Sequence, residues 1–554
     1  MANHELKSWP GQFQALWTGR KRAEFRRDDR HYEVGDSLDL REYDPDAGVH
    51  TADVVVVGSG SAGAVVARRL VDAGVSVLLL EAGLADDNPA IHDPARLFEL
   101  WDSEQDWGYR TVPQAGCAGR ALHWPRGRVL GGSSALNGMI YVRGARADYA
   151  GWAAAGNPGW DYDDVLPLFK RSEDFDRGAD AFHGSGGPMS VMSRYEPHPV
   201  TAAAVAAAQE AGIPFNGDHN GPEMDGVGYC QLTIRDGRRH SVADAFLRPV
   251  LDSPQLALHT SARARRLVFE GTRCVGVEFA RGGALELARA RHDVVVCAGT
   301  IESPRLLLLS GIGPADRSRR LGIEPLVDLR GVGQNLHDHL LSPVIFTARR
   351  PVPPPLPGLQ PLHAHLFART RAGLDRPDIQ PLFFHLPLYG EGQEGPADGF
   401  TLMGGAISPV SRGSLRLASA DPEDDLVIDP CCLASDYDVV ALAAAVQLCR
   451  EIGRQPALAD WTLEERYPGP GVRCGRELRD YLRQTAVTYH HQVGTCRMGV
   501  DEMAVVDPEL RVHGIEGLRV ADASVMPQVT SGNTHAPTVM IGERASDLVS
   551  AALA

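Results

Sequence analysis

The sequence predicts an α/β protein built around a doubly wound parallel sheet, and three observations carry that expectation. The first is the stretch "ADVVVVGSGSAGAVVARRLVDAGVSVLLLEAG" at 52–83. The second is a pair of later apolar runs ending in small residues, "RHDVVVCAG" at 291–299 and "LRVADASVMP" at 518–527. The third is length: 554 residues exceed one ordinary core, so two domains, or one with large insertions, are expected.

Residues 1–50 mix aromatics with charge runs. They read as an N-terminal extension packed on the body and a candidate homodimer contact. Val54–Val57 is a continuous β-branched run, as expected of a strand covered on both faces. A helix to about Asp72 and a second buried strand, Val75–Leu80, complete a βαβ unit. Between strand and helix, Gly58, Gly60 and Gly63 form G-x-G-x-x-G around Ser61 and Ala62. The first glycine permits the turn, the second lets backbone approach a pyrophosphate, and the third lets helix pack on strand. The helix start then offers the positive end of its dipole to the phosphates. Glu81, followed by Ala82, closes the second strand, where a carboxylate accepts hydrogen bonds from an adenosine ribose and disfavours a 2′-phosphate.

The runs at 291–299 and 518–527 supply strands of the same sheet from distant segments. "RRPVPPPLPGLQP" at 349–361 is barred from helix and central strand by its prolines. It reads as a lid-like or domain-joining loop.

A formal net charge of −16 argues against nucleic acid or an anionic membrane as partner. It leans mildly toward a small polar metabolite, sugar-like or amino-alcohol-like. The nine cysteines are scattered without a C-x-x-C pair, so neither a disulfide scaffold nor zinc is expected, and a reduced, cytoplasmic setting fits. The first residues contain no apolar signal region, and no run approaches 18 apolar residues, so no transmembrane segment is expected. No His/Asp/Glu spacing asks for a metal.

"RGRVLGGSSALNGMIYVRG" at 126–144 brings two glycines, Gly131 and Gly132, together with the donors Ser133, Ser134 and Asn137. By itself it is either a ligand-approaching loop or a tight turn with Ser133 or Ser134 as helix N-cap. Four more stretches follow: "GTIESPRLLLLSGIG" at 299–313, "GVGQNLHDH" at 331–339, "TYHHQVGTCRMG" at 488–499 and "SGNTHAPTVMIGERASDLV" at 531–549. In this order they resemble the signatures of the glucose–methanol–choline (GMC) oxidoreductases, on the choline-dehydrogenase-like branch. The likeness runs from about Ala52 to Val549.

The resemblance implies a discontinuous FAD-binding domain over 51–158, 222–340 and 486–554, and an α+β substrate domain on an antiparallel sheet over 159–221 and 341–485. Beyond the first glycine loop, it implies FAD contacts at Arg128, Gly131, Gly132, Ser133, Asn137 and Gly138. Further contacts are implied at Ala264, Ala298, Gly299, Asp522, Ala523, Asn533, Thr534 and Thr538. Some members bond FAD covalently through a histidine just before the second glycine block. Trp124 falls there, with His123 one residue off, so non-covalent FAD is expected.

The implied activity is oxidation of an alcohol to a carbonyl, a base taking the hydroxyl proton while a hydride passes to flavin N5. A dehydrogenase would hand the electrons to a quinone or other carrier, an oxidase to oxygen; "SGNTHAPT" favours the first. Lyase chemistry of the hydroxynitrile type is an alternative. So is a nicotinamide-dependent dehydrogenase, which the second glycine block disfavours.

Imidazole has a suitable pKa for the base, which makes His490 and His491 the candidates. Neighbours in an extended segment face opposite ways, so only one should reach the substrate. The family pattern, aromatic–His–Pro–x–Gly-Thr, anchored at Gly494-Thr495, places the base at His491. His490 then replaces the aromatic and Gln492 the proline, and His490 is expected to pack or hydrogen-bond behind His491. Alignment through Gly542-Glu543-Arg544 makes Asn533 the hydrogen-bonding partner and leaves His535 as a backbone-bonding loop residue. His337 and His339 read as structural. His363, His365 and His385 are spaced like strand residues, lining the pocket or filling the core.

Overall fold

The computed structural model describes residues 48–554, together with the backbone of Asn3–Ser8 and Ser37–Glu42, which pair in parallel. The expected packing of 1–50 on the body, and the oligomer contact with it, lies outside the described residues.

Val49–Val57 is the centre of the first sheet. Val54, Val55 and Val56 are fully buried, as a β-branched run between two covering layers must be. The helix Gly63–Asp72 buries Ala64, Val65, Val66, Ala67, Leu70 and Val71. The second strand starts at Val77, two residues later than expected, because Val75 is still tied to the helix end through Leu70 O.

Leu256–His259, Val77–Leu80, Val49–Val57 and Ala284–Val296 run parallel in that spatial order. Leu518–Val520 joins the last of these in parallel at its end. The sheet is nevertheless mixed. Arg263–Glu270 and Arg273–Arg281 add antiparallel strands, and the Gly282-Gly283 turn, with φ of +57° and +83°, is the two-residue connection a hairpin favours.

The second sheet is antiparallel, ordered Thr462–Tyr467, Leu340–Ala348, Gly399–Ala406, Leu382–Phe384, Leu362–Phe367 and Gly226–Tyr229, with Val487–Thr488 also on Leu340–Ala348. Of its strands, Gly226–Tyr229 and Val487–Thr488 fall within stretches expected in the FAD-binding domain. The helix Asp436–Ile452 crosses it at Gly404, where a Cβ would stand 2.8 Å from Val446 N. Residues 349–361 are irregular, as their prolines require.

The C-terminal helix His535–Leu553 returns to the first sheet and lies on the helix Gly63–Asp72, with Gly542 against Ala62. Its Glu543 is wholly buried and bonded by Arg69 and Arg171, each at 2.7 Å, and by Ser172 Oγ at 2.6 Å. Among the described residues, no helix is long and apolar enough to cross a membrane.

Candidate active site

A cavity of about 650 Å³ runs between the two sheets. At one end the two glycine loops meet backbone to backbone: a Cβ on Gly132 (φ +53°) would stand 2.8 Å from Gly60 Cα. Gly58 turns at φ +98°, where a Cβ would stand 2.5 Å from Cys297 O. Ser61, Ala62, Glu81, Ala82, Ser133, Asn137, Gly138, Ala264, Ala298, Gly299, Asp522, Ala523, Thr534 and Thr538 line the same space.

Three expected contacts stand behind that wall instead. Gly63 packs the helix on the strand, and a Cβ there would overlap the Gly58 carbonyl. Gly131, at φ +89°, donates its N–H to Ser59 Oγ. Arg128 lays its guanidinium over Trp107 at 4.9 Å and its backbone against Gly83. The N-cap alternative for the serines also fails. Gly131 holds the cap position, Ser134 Oγ donates to Gly131 O, and Ser133 Oγ accepts from Gly127 N.

Two buried carboxylates hold the loops. Glu81 accepts from Ser59 N, Ser59 Oγ and Gly83 N, and burial raises its pKa. Asp522 accepts from Gly299 N at 2.8 Å, Ser303 Oγ and Ser524 N, tying the helix Gly299–Leu309 to the Leu518–Val520 strand.

At the other end lies His491. Its Nε2 stands 3.2 Å from Asn533 Nδ2, and its Nδ1 stands 3.0 Å from His339 Nδ1. Gln380 Nε2 donates to Asn533 Oδ1 at 3.1 Å, which turns the Asn533 N–H toward His491. A consistent direction follows: Gln380 donates to Asn533, Asn533 to His491 Nε2, and His491 Nδ1–H to His339. The one lone pair on Nε2 is thus held by Asn533 Nδ2 at the edge of the cavity.

Burial, with His339, His490 and Arg126 as neighbours, holds His491 well below the ordinary imidazole range. Burial pushes His339 down to about 3, so it stays neutral. Asp338 Oδ1 accepts the His491 N–H at 2.8 Å, and its Oδ2 accepts from Thr488 Oγ1 and Gln492 Nε2. The amide of Gln492 thereby anchors the turn where the family pattern has a rigid proline. Burial pushes Asp338 up to about 6.

Several expectations are corrected here. His339 is not merely structural, whereas His337 is, bonding Asn335 O and Val529 N. His490 does not sit behind His491. Its φ of +67° takes the segment out of the extended conformation, so both rings line the cavity, with that of His490 4.9 Å from Trp101. His535 begins the C-terminal helix and meets the Ser61 hydroxyl through Nδ1 rather than bonding backbone. His363, His365 and His385 are buried away from the cavity wall. His365 backs Gln380, and His363 and His385 pack with His198.

Asp338, His339 and Gln380 were missed by sequence reasoning; the "NLHDH" motif was the one available signal for the first two. Among the described residues, three groups bring metal-ligand atoms within 4.8 Å of one another: His50/His259/Glu286, Asp86/His92/Asp244 and Asp102/Asp106/His123. Arg281 bonds Glu286, and Arg248 bonds both Asp86 and Asp244.

The GMC oxidoreductase family models match residues 52–341 and 409–542. The chain belongs to the GMC oxidoreductase family. A domain of unknown function, DUF3850, matches residues 3–58. Mitochondrial choline dehydrogenase of Mus musculus is 41% identical over 528 residues, covering 89% of each chain. Oxygen-dependent choline dehydrogenase of Brucella anthropi is 40% identical over 530 residues, covering 90% of this chain and 95% of that one. Among solved structures, pyridoxine 4-oxidase from Mesorbium loti superposes with a TM-score of 0.86 at 39% identity, covering 90% and 98%. The protein is thus an FAD-dependent alcohol oxidoreductase. The residues fit that cofactor: two glycine loops whose side chains would close the cradle, and Glu81 at the strand end beside it.

Proposed function

We propose that this GMC oxidoreductase is a dehydrogenase acting on a small alcohol, with His491 as base and Asn533 as its partner on the substrate oxygen. The observation that carries the reading is the directed chain Gln380–Asn533–His491–His339, which leaves Nε2 of His491 unprotonated and pairs it with an N–H of Asn533. A substrate hydroxyl displaces that one hydrogen bond, giving its proton to Nε2 and accepting from Nδ2. Transfer makes His491 an imidazolium whose Nδ1–H remains held by His339. The half-buried Arg126 guanidinium, bonded to His490 O, adds a positive charge beside the site that favours the alkoxide. Bound FAD supplies the acceptor for the carbon-bound hydrogen and its electron pair.

The glycine loops, Glu81, Ser133, Asn137, Gly138, Ala264, Ala298, Gly299, Asp522, Ala523, Thr534 and Thr538 would hold it, without a covalent bond. His123 Nε2 lies 3.3 Å from both Asp102 and Asp106, which supports the non-covalent reading. The electron acceptor is a carrier or oxygen: the Mus musculus relative is a dehydrogenase by name, and the Brucella anthropi relative is oxygen-dependent. A reducing cytoplasmic setting is supported by the nine free cysteines.

Anaerobic mixing with alcohols while flavin absorbance is followed tests the assignment. His491→Ala should keep bound FAD and lose ~10²-fold or more in the rate of flavin reduction. Reduction at the wild-type rate in that variant would remove His491 from the mechanism.

A further inference from the structure

Two of the nine cysteines meet outside the large cavity. Cys117 closes the short turn Ala115–Cys117, and Cys432 lies between the strand Leu426–Asp429 and the helix Asp436–Ile452. Both are free and buried, and their thiols are bonded to each other. Their backbones are pressed together as well. A Cβ on Gly116 would overlap the Cys432 carbonyl, and Gln114 Oε1 accepts from Cys432 N at 3.0 Å.

This approach is held against the preference of the backbone. Ala118 at φ +56°, Cys431 at +52° and Leu433 at +54° all take the left-handed conformation, which residues with a side chain seldom adopt. One stands beside Cys117 and one on each side of Cys432. Strain of this kind persists only where the surrounding structure imposes it, and it gathers at functional positions.

The two sulfurs are unequal. Cys432 donates to Cys117, and this bond, with the Arg120 guanidinium nearby, holds the Cys117 thiol below its ordinary range. The same bond and burial push Cys432 well up, so Cys117 is the nucleophile and Cys432 keeps its proton. Ala115, Ala118 and Gly119 are exposed, which leaves Cys117 one side chain's depth beneath the surface. The neighbouring Cys431 is partly exposed, but burial and the Asp429 carboxylate that accepts its S–H at 3.7 Å raise its pKa.

The pair lies between the anchor of the base and the cavity wall. A separate cavity of about 20 Å³, room for one water, is lined by Cys432 and by Asp338, whose Oδ1 holds the His491 N–H. On the other side, Arg120, Ala121, Leu122 and His123 follow Cys117 along the large cavity, and Arg120 Nη2 donates to Ala486 O at 2.6 Å.

We propose that Cys117 and Cys432 are a redox-modification site, which hydrogen peroxide converts to a disulfide that slows the enzyme through Asp338. The Cys117 thiolate takes one oxygen of the peroxide, breaking the O–O bond, and becomes a sulfenic acid while the other oxygen leaves as hydroxide. The Cys432 sulfur then displaces the sulfenic hydroxyl, forming the S–S bond, and its proton leaves with that hydroxyl as water. The pair is oxidised by loss of an electron pair, and the peroxide is reduced to water. Formation of the bond is independent of the catalytic assignment, whereas the loss of rate rests on His491 being the base.

The test uses the FAD-loaded enzyme, incubated with hydrogen peroxide or without it, then alkylated in denaturant and mapped by peptide mass. Peroxide should yield a linked peptide pair joining Cys117 to Cys432, which dithiothreitol separates. Flavin reduction by choline or benzyl alcohol, whichever is faster, is followed anaerobically. It should fall about tenfold, the scale of one hydrogen bond displaced beside the base, and recover with dithiothreitol. Cys117→Ser and Cys432→Ala should each start near the wild-type rate and keep it through peroxide, whereas Cys431→Ser should respond as the wild type does. Both cysteines alkylated after peroxide, or joined to other partners, would overturn the site. A linked pair with an unchanged rate would overturn the route through Asp338, and inhibition that survives in both Cys117→Ser and Cys432→Ala would place the sensitive group elsewhere. If neither alcohol reduces the flavin, the alcohol-oxidising reading fails while the peptide map still decides the disulfide.

Discussion

At His491 the two ring nitrogens face different partners, Nε2 toward Asn533 at the cavity and Nδ1 toward His339. Removing the acceptor frees the ring to take the other tautomer. His339→Leu should therefore slow flavin reduction about tenfold, the worth of one neutral hydrogen bond of roughly 1–1.5 kcal/mol, with KM little changed. Stopped-flow reduction at several alcohol concentrations separates the two constants; a change confined to KM would deny His339 its positioning role. The pH profile gives a second check. Because burial holds His491 well below 6.5, the active free base persists as pH falls through that value. The first nearby group to take a proton is Asp338, at about 6, and protonation costs it acceptors for His491 N, Thr488 and Gln492. An acid limb of kcat/KM near pH 6 is expected, displaced in Asp338→Asn. A limb at or above 6.5 that persists in that variant would contradict it. His491 and Asn533 were legible because Gly494-Thr495 and Gly542-Glu543-Arg544 anchor a count along the chain. His339, Asp338 and Gln380 were not, because only the pairing of Leu340–Ala348 with Val487–Thr488 and of Leu382–Phe384 with Gly399–Ala406 brings them beside the base.

Between elements, the C-terminal helix is fastened by charge as well as by packing. Glu543 offers its carboxylate to Arg69 on the first helix and to Arg171 and Ser172 at the end of Tyr162–Ser172. Glu543→Gln keeps the shape and removes the charge, and should cost about 2 kcal/mol, the loss of a charge-assisted hydrogen bond at a buried site. Urea unfolding reads this directly; a shift of a few tenths would mean the arginines are satisfied by solvent. The βαβ unit was legible from its periodicity, and the glycines from their place between strand and helix. The mixed character of the first sheet was not, because the hairpin at Gly282-Gly283 depends on local turn conformation, while the parallel pairing seen in sequence came from distant buried runs. The left-handed conformation at His490 was not legible, since histidine adopts it more often than most residues but still in only a small share of its positions.

Over the whole molecule, the two glycine loops meet where Gly132 stands so close to Gly60 that it has no room for a side chain. Gly132→Val should lose FAD, because a Cβ 2.8 Å from Gly60 Cα pushes the loops apart and φ of +53° strains a β-branched residue. Added FAD should raise the melting temperature of the wild type and leave that of the variant unmoved. An equal rise in both would show that the cradle tolerates the change. The order of the segments carries its own consequence for synthesis. The strand Leu518–Val520, the base His491 and its partner Asn533 all lie within the last seventh or so of the polypeptide, while the loop they complete lies near residue 60. During translation the first βαβ unit must wait, its crevice open, until the ribosome has made nearly everything else. A chain that stops before residue 491 thus has neither the proposed proton acceptor nor a finished pocket.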